Sequence, residues 1–235
     1  MLIRPLMKRR PDLAYHRQYI LIRPVTHYLR CVFFKSGWYG KYFTLNSQVA
    51  PLFAADSFLS SHGHSRDGAP LLEHYFEESW TEDPEAAARK VSDLIEQQAL
   101  PQIADADNPA ALANKPWLME RDDVILNACA GGDFDEAERL VADYVGGMEG
   151  RLELPRDYSG KNWRKPAEYE PFSIAVATEA HKFHDQSLWR MAYLGKLLQT
   201  DRSRVPALLH DWEEFTVNAF KLHKYWTKTP FPCEG

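Results

Sequence analysis

Two groups of histidines are the residues of this chain whose spacing could support metal chemistry. The first pair, His62 and His64, lies in a polar stretch that contains Gly and Ser and is followed by more imidazole and carboxylate groups. Nitrogen and oxygen ligands of this kind suit divalent metals. The additional candidate ligands are Asp67, His74, Glu77 and Glu78. Because a solvated loop with two imidazoles is commoner than a metal site, the stretch favours an exposed loop, with metal as the alternative.

The second group is His181 and His184, one turn apart on a predicted apolar helix stripe. A metal site here would need further ligands, and the zincin pattern His-Glu-x-x-His is absent. The residues that could complete it are Glu179, Asp185, His210 and Asp211. Histidines on an apolar face are more often core or interface residues. We therefore expect no cofactor, with a metal-dependent enzyme using His62/His64 or His181/His184 as the alternative.

Other catalytic signatures are missing from the sequence. It contains no GxSxG elbow, no GxxxxGK[ST] loop and no GxGxxG after a strand, so hydrolases, nucleoside triphosphatases and dinucleotide oxidoreductases lack their usual local machinery. Adjacent carboxylates such as Glu213 and Glu214 diverge by about 100° on a helix and are typical of a solvated face. The sequence thus favours a protein without catalysis.

The three cysteines, Cys31, Cys129 and Cys233, are widely spaced and form no CxxC pair. This pattern predicts neither a disulfide framework nor a thiolate zinc site. Cys31, which lies within a predicted strand, is expected to act as a small buried hydrophobe. The cysteine usage fits a reducing cytoplasm.

The composition is that of a folded protein, with 235 residues, 45% hydrophobic and 13% aromatic. No apolar run reaches the roughly 18 to 20 residues needed to cross a bilayer. The first residues lack the apolar core of a secretory signal. We therefore predict a cytoplasmic protein without membrane association.

Charge is unevenly distributed along the chain. Residues 1–41 hold nine Lys or Arg and one acid (+8), residues 42–149 hold 6 bases and 21 acids (−15), and residues 150–235 hold 13 bases and 11 acids (+2), which gives −5 overall. We expect the basic and acidic segments to face each other or to share a solvated surface. Anion or nucleic-acid binding through the basic N-terminal segment is the alternative. The acidic balance argues against nucleic acid as a partner.

Residues 17–53 are predicted to form β-strands, because they are rich in β-branched and aromatic residues. The clearest hairpin pairs residues 27–35 with residues 41–49 across a turn that contains Gly37 and Gly40. Apolar residues on both faces of the first strand indicate a sheet covered on both sides. Residues 1–16, which contain Pro5 and Pro11, are expected to form an arm.

Helices follow the predicted sheet. A helix capped by Asp83 should end before Pro101, and Asn108 should cap a short turn. A helical hairpin is predicted over residues 117–130 and 133–145. A capping box from Asp133 to Glu136 begins its second helix, and glycines follow the C-terminal end of each helix. Helices over 174–198 and 205–226 should pair, and a tail with Pro230 and Pro232 should lie along the surface.

Two resemblances accompany these patterns. ACAGGDFDEAERLV, within residues 117–145, resembles the turn of a tetratricopeptide repeat, although no second copy occurs at the period of about 34 residues. The layout of residues 20–145 resembles a group of uncharacterised bacterial proteins known only as a domain of unknown function. Neither resemblance implies an activity.

Together these features predict an α+β fold: an N-terminal antiparallel sheet packed by helices, then a mainly helical C-terminal region. The first predicted unit is an α+β domain over residues 1–145, with strands at about 17–53 and helices at about 84–145. A linker at 146–171 follows it. The second predicted unit is a helical subdomain at 172–235 that packs on the α+β domain. The helical hairpins, the seven tryptophans and the missing catalytic motifs favour a non-catalytic protein–protein interaction module. Its partner would be another protein or a second copy.

Overall fold

The structure, a computed structural model, describes residues 3–36, 43–54, 70–72, 82–113, 121–149 and 186–235. These residues confirm the α+β prediction, with an antiparallel sheet near the N-terminus followed by helices. The strands are β1 (Leu13–His16), β2 (Tyr19–Ile22), β3 (Tyr28–Ser36), β4 (Phe43–Pro51) and β5 (Pro70–Leu72), and they pair in sequential order within the described part of the chain.

The helices are α1 (Arg4–Arg9), α2 (Pro84–Leu94), α3 (Leu100–Ile103), α4 (Pro109–Ala113), α5 (Arg121–Gly131), α6 (Phe134–Glu149), α7 (Gln186–Thr200) and α8 (Val205–Phe220). A π-helical turn, Ile95–Ala99, joins α2 to α3, and 3₁₀ turns span Leu52–Ala54, Arg202–Arg204 and Pro232–Glu234. None of the helices in the described ranges combines the length and apolarity that a bilayer crossing needs.

The predicted hairpin is confirmed as β3 and β4. Their register runs from Tyr28 opposite Pro51 to Ser36 opposite Phe43. The glycines predicted for its turn, Gly37 and Gly40, lie outside the described residues. The short connections between β1, β2, β3 and β4 explain the antiparallel order of these four strands.

The expectation of an arm over residues 1–16 is wrong, because these residues form α1 and β1. Pro5 does not interrupt α1, since it occupies the first turn, where a backbone N–H would have no helical partner anyway. Pro11 comes after the helix has ended. The second strand of the β1–β2 hairpin then pairs with β3.

Both faces of the sheet are covered, as the alternating pattern of β3 predicts. Tyr28 and Val32 belong to the main core cluster, to which α2, the π turn and α3 also contribute. Leu29 and Cys31 point the other way, into a second cluster with the end of α8. Cys31 is fully buried, as expected, and burial raises the pKa of its thiol to about 12.

The helix that begins at Pro84 continues past the predicted stop at Pro101. Its start is as expected, because the Asp83 carboxylate accepts a hydrogen bond from the Ala86 N–H at 2.8 Å. Before Pro101 the turn widens, and the Leu100 N–H donates to the carbonyl of Ile95, five residues back. Pro101 then lies in the first turn of α3, where its missing N–H is tolerated.

The turn between α5 and α6 follows the predicted pattern in part. Gly132 has a φ of +87°, which a residue with a side chain rarely adopts. The Asp133 carboxylate caps α6 by accepting from the Glu136 N–H at 3.2 Å. The Glu136 carboxylate does not return to complete the capping box, because it binds Arg139 at 2.6 Å. The predicted end of α6 before Gly146 is wrong, since the helix runs to Glu149.

The predicted cap at Asn108 is confirmed, since its side-chain oxygen accepts from the Ala111 N–H at 2.9 Å. Helices α7 and α8 form within the described ranges, joined by Asp201 and a 3₁₀ turn, but α8 ends at Phe220, before the predicted end at residue 226. The C-terminal residues lie along the surface as expected, since Lys228, Pro230, Pro232 and Glu234 are exposed. Phe231 is the exception among them, because it is only 2% exposed and joins the main core cluster.

The main cluster draws apolar residues from Ile3 to Phe231, so residues on either side of the predicted linker share one core. Most of residues 146–171 lie outside the described ranges, and the division into units stays a prediction.

The basic and acidic segments face each other, as the charge distribution predicts. Arg9 binds Glu96 at 2.8 Å and Asp93 at 3.3 Å. The buried guanidinium of Arg30 lies 3.6 Å from Asp107 and donates to the carbonyl of Ala104. Binding of nucleic acid or another anion by this segment stays a prediction without a supporting contact.

We predict that Gly195→Ala lowers the free energy of unfolding by about 1 kcal/mol. A Cβ at this position of α7 would lie 2.7 Å from Cγ1 of the buried Val141 on α6. Overpacking of this kind costs about 1–3 kcal/mol, which exceeds the gain of about 1 kcal/mol in helix propensity. Urea denaturation measures the change. Adding Val141→Ala should make Gly195→Ala favourable in a double-mutant cycle, and a stabilising Gly195→Ala single variant would contradict the close approach.

We predict that Lys221→Gly raises the free energy of unfolding by about 1 kcal/mol, because Lys221 ends α8 in the left-handed region with a φ of 56°. The control is Lys221→Ala, which also removes the exposed side chain but keeps a Cβ. Equal stabilisation by both variants in thermal denaturation would show that the backbone conformation is not the cause.

Candidate functional site

The four predicted metal-site histidines, His62, His64, His181 and His184, lie outside the described residues. Metal binding there stays a prediction. Within the ranges that the structure describes, no group of three or more His, Cys, Asp or Glu side chains is arranged to hold a metal ion. His210 and Asp211, named above as supplementary ligands, are described and belong to a different polar site.

That site is a cleft of about 660 Å³ between the α5–α6 turn, the α7–α8 turn and the C-terminal tail, which we define as residues 227–235. The α5–α6 turn supplies Phe134. The other lining residues come from the α7–α8 connection, from α8 and from the tail: Arg202, Ser203, Pro206, Ala207, His210, Asp211, Lys228, Cys233 and Glu234.

Ion pairs fix the charged groups at the rim of the cleft. Arg202 binds Asp135 at 2.8 Å and Glu138 at 2.9 Å, which ties the α7–α8 turn to α6. Lys228 of the tail binds Glu214 of α8 at 2.7 Å. The ammonium group lowers the pKa of Glu214 by hydrogen bonding to its charged form. These exposed ion pairs connect α6, α8, the α7–α8 turn and the tail around the cleft.

A connected set of ionisable side chains, His27, Glu213, His210 and Glu234, runs from the core to the wall of the cleft, and we call it the buried charge chain because Glu213, at its centre, is fully buried. One oxygen of Glu213 lies 3.1 Å from Nδ1 of His27 and 3.3 Å from the indole nitrogen of Trp226, and the other lies 3.4 Å from Nδ1 of His210. These donors replace the water that the carboxylate loses on burial.

Glu234 is the end of the buried charge chain that belongs to the tail. Its Oε2 lies 2.9 Å from Nε2 of His210 and accepts a hydrogen bond from the Phe231 N–H at 2.6 Å. Burial by itself raises the pKa of Glu234, but these two hydrogen bonds outweigh it and hold the pKa below the ordinary value of 4.5.

Two further contacts hold the tail. The ring of Phe231 stacks on His27 with centroids 3.9 Å apart and meets Phe53 edge to face at 5.2 Å. Trp226 forms a parallel β-bridge with Val25, and the Thr227 N–H donates to the Val25 carbonyl at 2.8 Å. The tail is thus part of the fold and forms one wall of the cleft.

The cleft contains two nucleophilic groups, Cys233 and Ser203. Burial raises the pKa of the Cys233 thiol to about 11, and the charge of Glu234 adds to the effect, so the thiolate is disfavoured at neutral pH. The Ser203 hydroxyl donates to Asp201 at 2.6 Å. The described cleft therefore offers ordered charged groups suited to binding.

Sequence reasoning missed most of this site because its members are far apart in the chain. His27 and Glu213 are separated by 186 residues. Glu213 was interpreted with Glu214 as a solvated pair, which is right for Glu214 but wrong for Glu213. One signal was available: Glu213 is four residues after Leu209 and seven before Phe220, on the apolar stripe of α8.

Comparison of the chain with protein-family models, with curated proteins and with solved structures gave no match. The resemblances to uncharacterised bacterial proteins and to a tetratricopeptide turn stay predictions.

We predict that Glu234→Gln reduces the loss of stability in acid. Because the folded-state pKa of Glu234 is lowered, its carboxylate contributes stability above pH 4.5, and this is lost as the pH falls through the folded-state value. Urea denaturation between pH 3 and pH 6 should give a smaller pH slope for Glu234→Gln than for the wild type. Glu85→Gln, an exposed carboxylate-to-amide control, should keep the wild-type slope; identical slopes for all three proteins would contradict the tail contact.

Proposed function

We propose that the protein is a non-catalytic protein–protein interaction module whose cleft receives a basic segment of a partner protein. The observation that carries the proposal is the acidic excess around an ordered cleft. The charged groups that line it, together with their direct partners, comprise six carboxylates, two permanent cations and two histidines. They are Asp135, Glu138, Asp211, Glu213, Glu214, Glu234, Arg202, Lys228, His27 and His210.

The acidic excess remains whichever protons the two imidazoles hold. With both imidazoles protonated, six negative charges face four positive ones, and with both neutral they face two. Arg202 and Lys228 are each already paired with carboxylates. A basic partner segment therefore complements the cleft, and the net charge of −5 on the chain favours its approach.

Asp211 is the residue best placed to receive a basic side chain. It is exposed in the wall of the cleft and, within the part of the chain that the structure describes, it forms no ion pair. A partner ammonium or guanidinium group at this position would gain a charge-assisted hydrogen bond without breaking an existing one.

The size of the cleft suits a short segment of chain. Its volume of about 660 Å³ is within the range of about 300–1,000 Å³ found for ligand pockets. A cleft of this size receives side chains of a partner segment rather than a folded surface.

Site-specific photo-crosslinking in the native host tests the proposal. A photoreactive amino acid at Ala207, exposed in the cleft, should give a defined covalent adduct with one partner. The matched control is Ala142, which is exposed on α6, one turn beyond Glu138, and does not line the cleft. We expect the adduct at Ala207 and not at Ala142.

Asp211→Arg, combined with the Ala207 crosslinker, should reduce the adduct yield about tenfold or more, because like charges now meet in the cleft. Glu85→Arg, which reverses a charge on α2, should leave the yield unchanged. Adducts of equal yield at Ala207 and Ala142, or a yield that Asp211→Arg does not change, would reject the cleft as the binding site.

A further inference from the structure

A group of exposed cations lies at the C-terminal end of α8, whereas the cleft lies at its N-terminal half. Arg17 is exposed in the two-residue turn between β1 and β2. Lys221 ends α8 and Lys224 follows it, and both side chains are exposed. We call residues 16–18 together with residues 221–225 the basic tip.

Direct contacts hold the two parts of the basic tip together. Nε2 of His16 lies 2.8 Å from the carbonyl oxygen of Phe220, the last residue of α8. The His16 ring also meets the ring of Tyr225 edge to face, with centroids 5.6 Å apart. The ammonium group of Lys224 lies 5.7 Å from the centre of the Tyr225 ring. The cations of the hairpin turn and of the chain after α8 therefore belong to one surface.

The cations of the basic tip are not neutralised by the part of the chain that the structure describes. Arg17, Lys221 and Lys224 form no ion pair there, whereas Arg139 and Arg202 each bind two carboxylates. An anionic partner would therefore give each of the three cations a charge-assisted hydrogen bond without breaking an existing ion pair. The basic tip is a surface suited to a partner with exposed carboxylate or phosphate groups.

The acidic cleft of a second copy complements this surface in charge and in shape. An exposed hairpin turn is convex, whereas the cleft is concave and carries the acidic excess described above. Asp211 in its wall suits the planar guanidinium of Arg17, which can bind a carboxylate through two parallel hydrogen bonds. At the rim, the side chains of Asp135 and Glu214 are 87% and 49% exposed and offer carboxylate oxygens to further cations.

We propose that the basic segment received by the cleft is the basic tip of a second copy of this chain, so that molecules associate head to tail. The inference rests on the proposed function, because it uses the same cleft. A molecule cannot fill its own cleft, since Asp211 and Lys221 are separated by about 15 Å along α8 at 1.5 Å per residue. Because tip and cleft are different surfaces, a dimer leaves one of each free for further copies.

The net charge of −5 makes two copies repel each other at long range. Salt screens that repulsion, because the Debye length is about 8 Å at physiological ionic strength, whereas the charges of tip and cleft would meet at hydrogen-bond distance. A nucleic acid is the other anionic partner that a basic surface fits. The acidic balance of the chain opposes it more strongly, because every nucleotide adds a negative charge.

Sedimentation equilibrium of the purified full chain, with and without nuclease treatment, tests the inference. In moderate salt the average mass should rise with protein concentration between about 10 µM and about 1 mM, since small contacts between charged surfaces are weak. Nuclease should not change this rise. A monomer throughout the range, or association that nuclease abolishes, would overturn the second copy as the partner.

Two variants alter the two surfaces separately. Asp211→Arg reverses a charge in the cleft and keeps the tip, whereas Arg17→Gln combined with Lys224→Gln neutralises the tip and keeps the cleft. Each should weaken self-association about tenfold or more. The matched control combines Arg4→Gln with Lys8→Gln, which removes two exposed cations of α1, and it should associate as the wild type does. A control that weakens association as much as the tip variant would overturn the inference.

Mixing the two variants gives a result that a folding defect cannot produce. The intact tip of the Asp211→Arg variant can enter the intact cleft of the Arg17→Gln/Lys224→Gln variant, so an equimolar mixture should regain association. Growth should stop at the dimer, because the remaining tip and the remaining cleft are both altered. A mixture that stays monomeric would overturn head-to-tail association.

Photo-crosslinking separates this inference from the proposed function. With the photoreactive amino acid at Ala207, a mixture of isotope-labelled and unlabelled purified copies should give intermolecular adducts on peptides that contain Arg17 or Lys221. Adducts elsewhere on the second copy would overturn the inference. A defined Ala207 adduct with a different protein in the native host, from a chain that stays monomeric when purified, would reject the second copy and keep the proposed function. Absence of a defined adduct in both settings would reject both.

Discussion

The carboxylate of Glu213 is the constraint on which the C-terminal half of this structure depends. A fully buried carboxylate is stable only when donors replace its water, and here those donors come from three separate parts of the chain: His27 before β3, His210 on α8 and Trp226 after it. Loss of a partner from such a group costs about 3–5 kcal/mol. The position of α8 against the sheet and the path of the chain after α8 are therefore tied to one charged group.

The Glu213 carboxylate also connects the packing of the core to the polar side chains of the cleft. Apolar contacts, such as Phe231 against His27 and Phe53, hold the tail by packing. The hydrogen bond between His210 and Glu234 adds a polar attachment of the same segment to α8. The wall of the cleft and the core of the protein consequently share a set of side chains, so a substitution at one of these side chains alters both.

The parts of the fold that could be predicted from the sequence are those decided locally. Strand alternation located β3 and β4, and capping chemistry located the starts of α2 and α6, because the groups involved are within a few residues of each other. Proline was the main source of error: Pro5 and Pro101 were taken as interruptions, yet both occupy first turns of helices, where the missing N–H does no harm.

The site was harder to predict because its contacts join distant residues. The pairing of basic and acidic segments was predictable from net charge, but which side chains met was not. The stacking of Phe231 on His27 and the burial of Glu213 depend on the completed packing, so neither could be read from local periodicity. The predicted metal-site histidines lie outside the described residues and are not part of this comparison.

The β-bridge between Val25 and Trp226 joins residues near the two ends of the sequence. During synthesis the strands β1 to β4 can pair early, since their connections are short, but this bridge and the Trp226 donor to Glu213 can form only after residue 226 has been synthesised. Until then His27 and the apolar surface beside it lack their cover. The sheet side of the core is therefore made long before the residues that complete it.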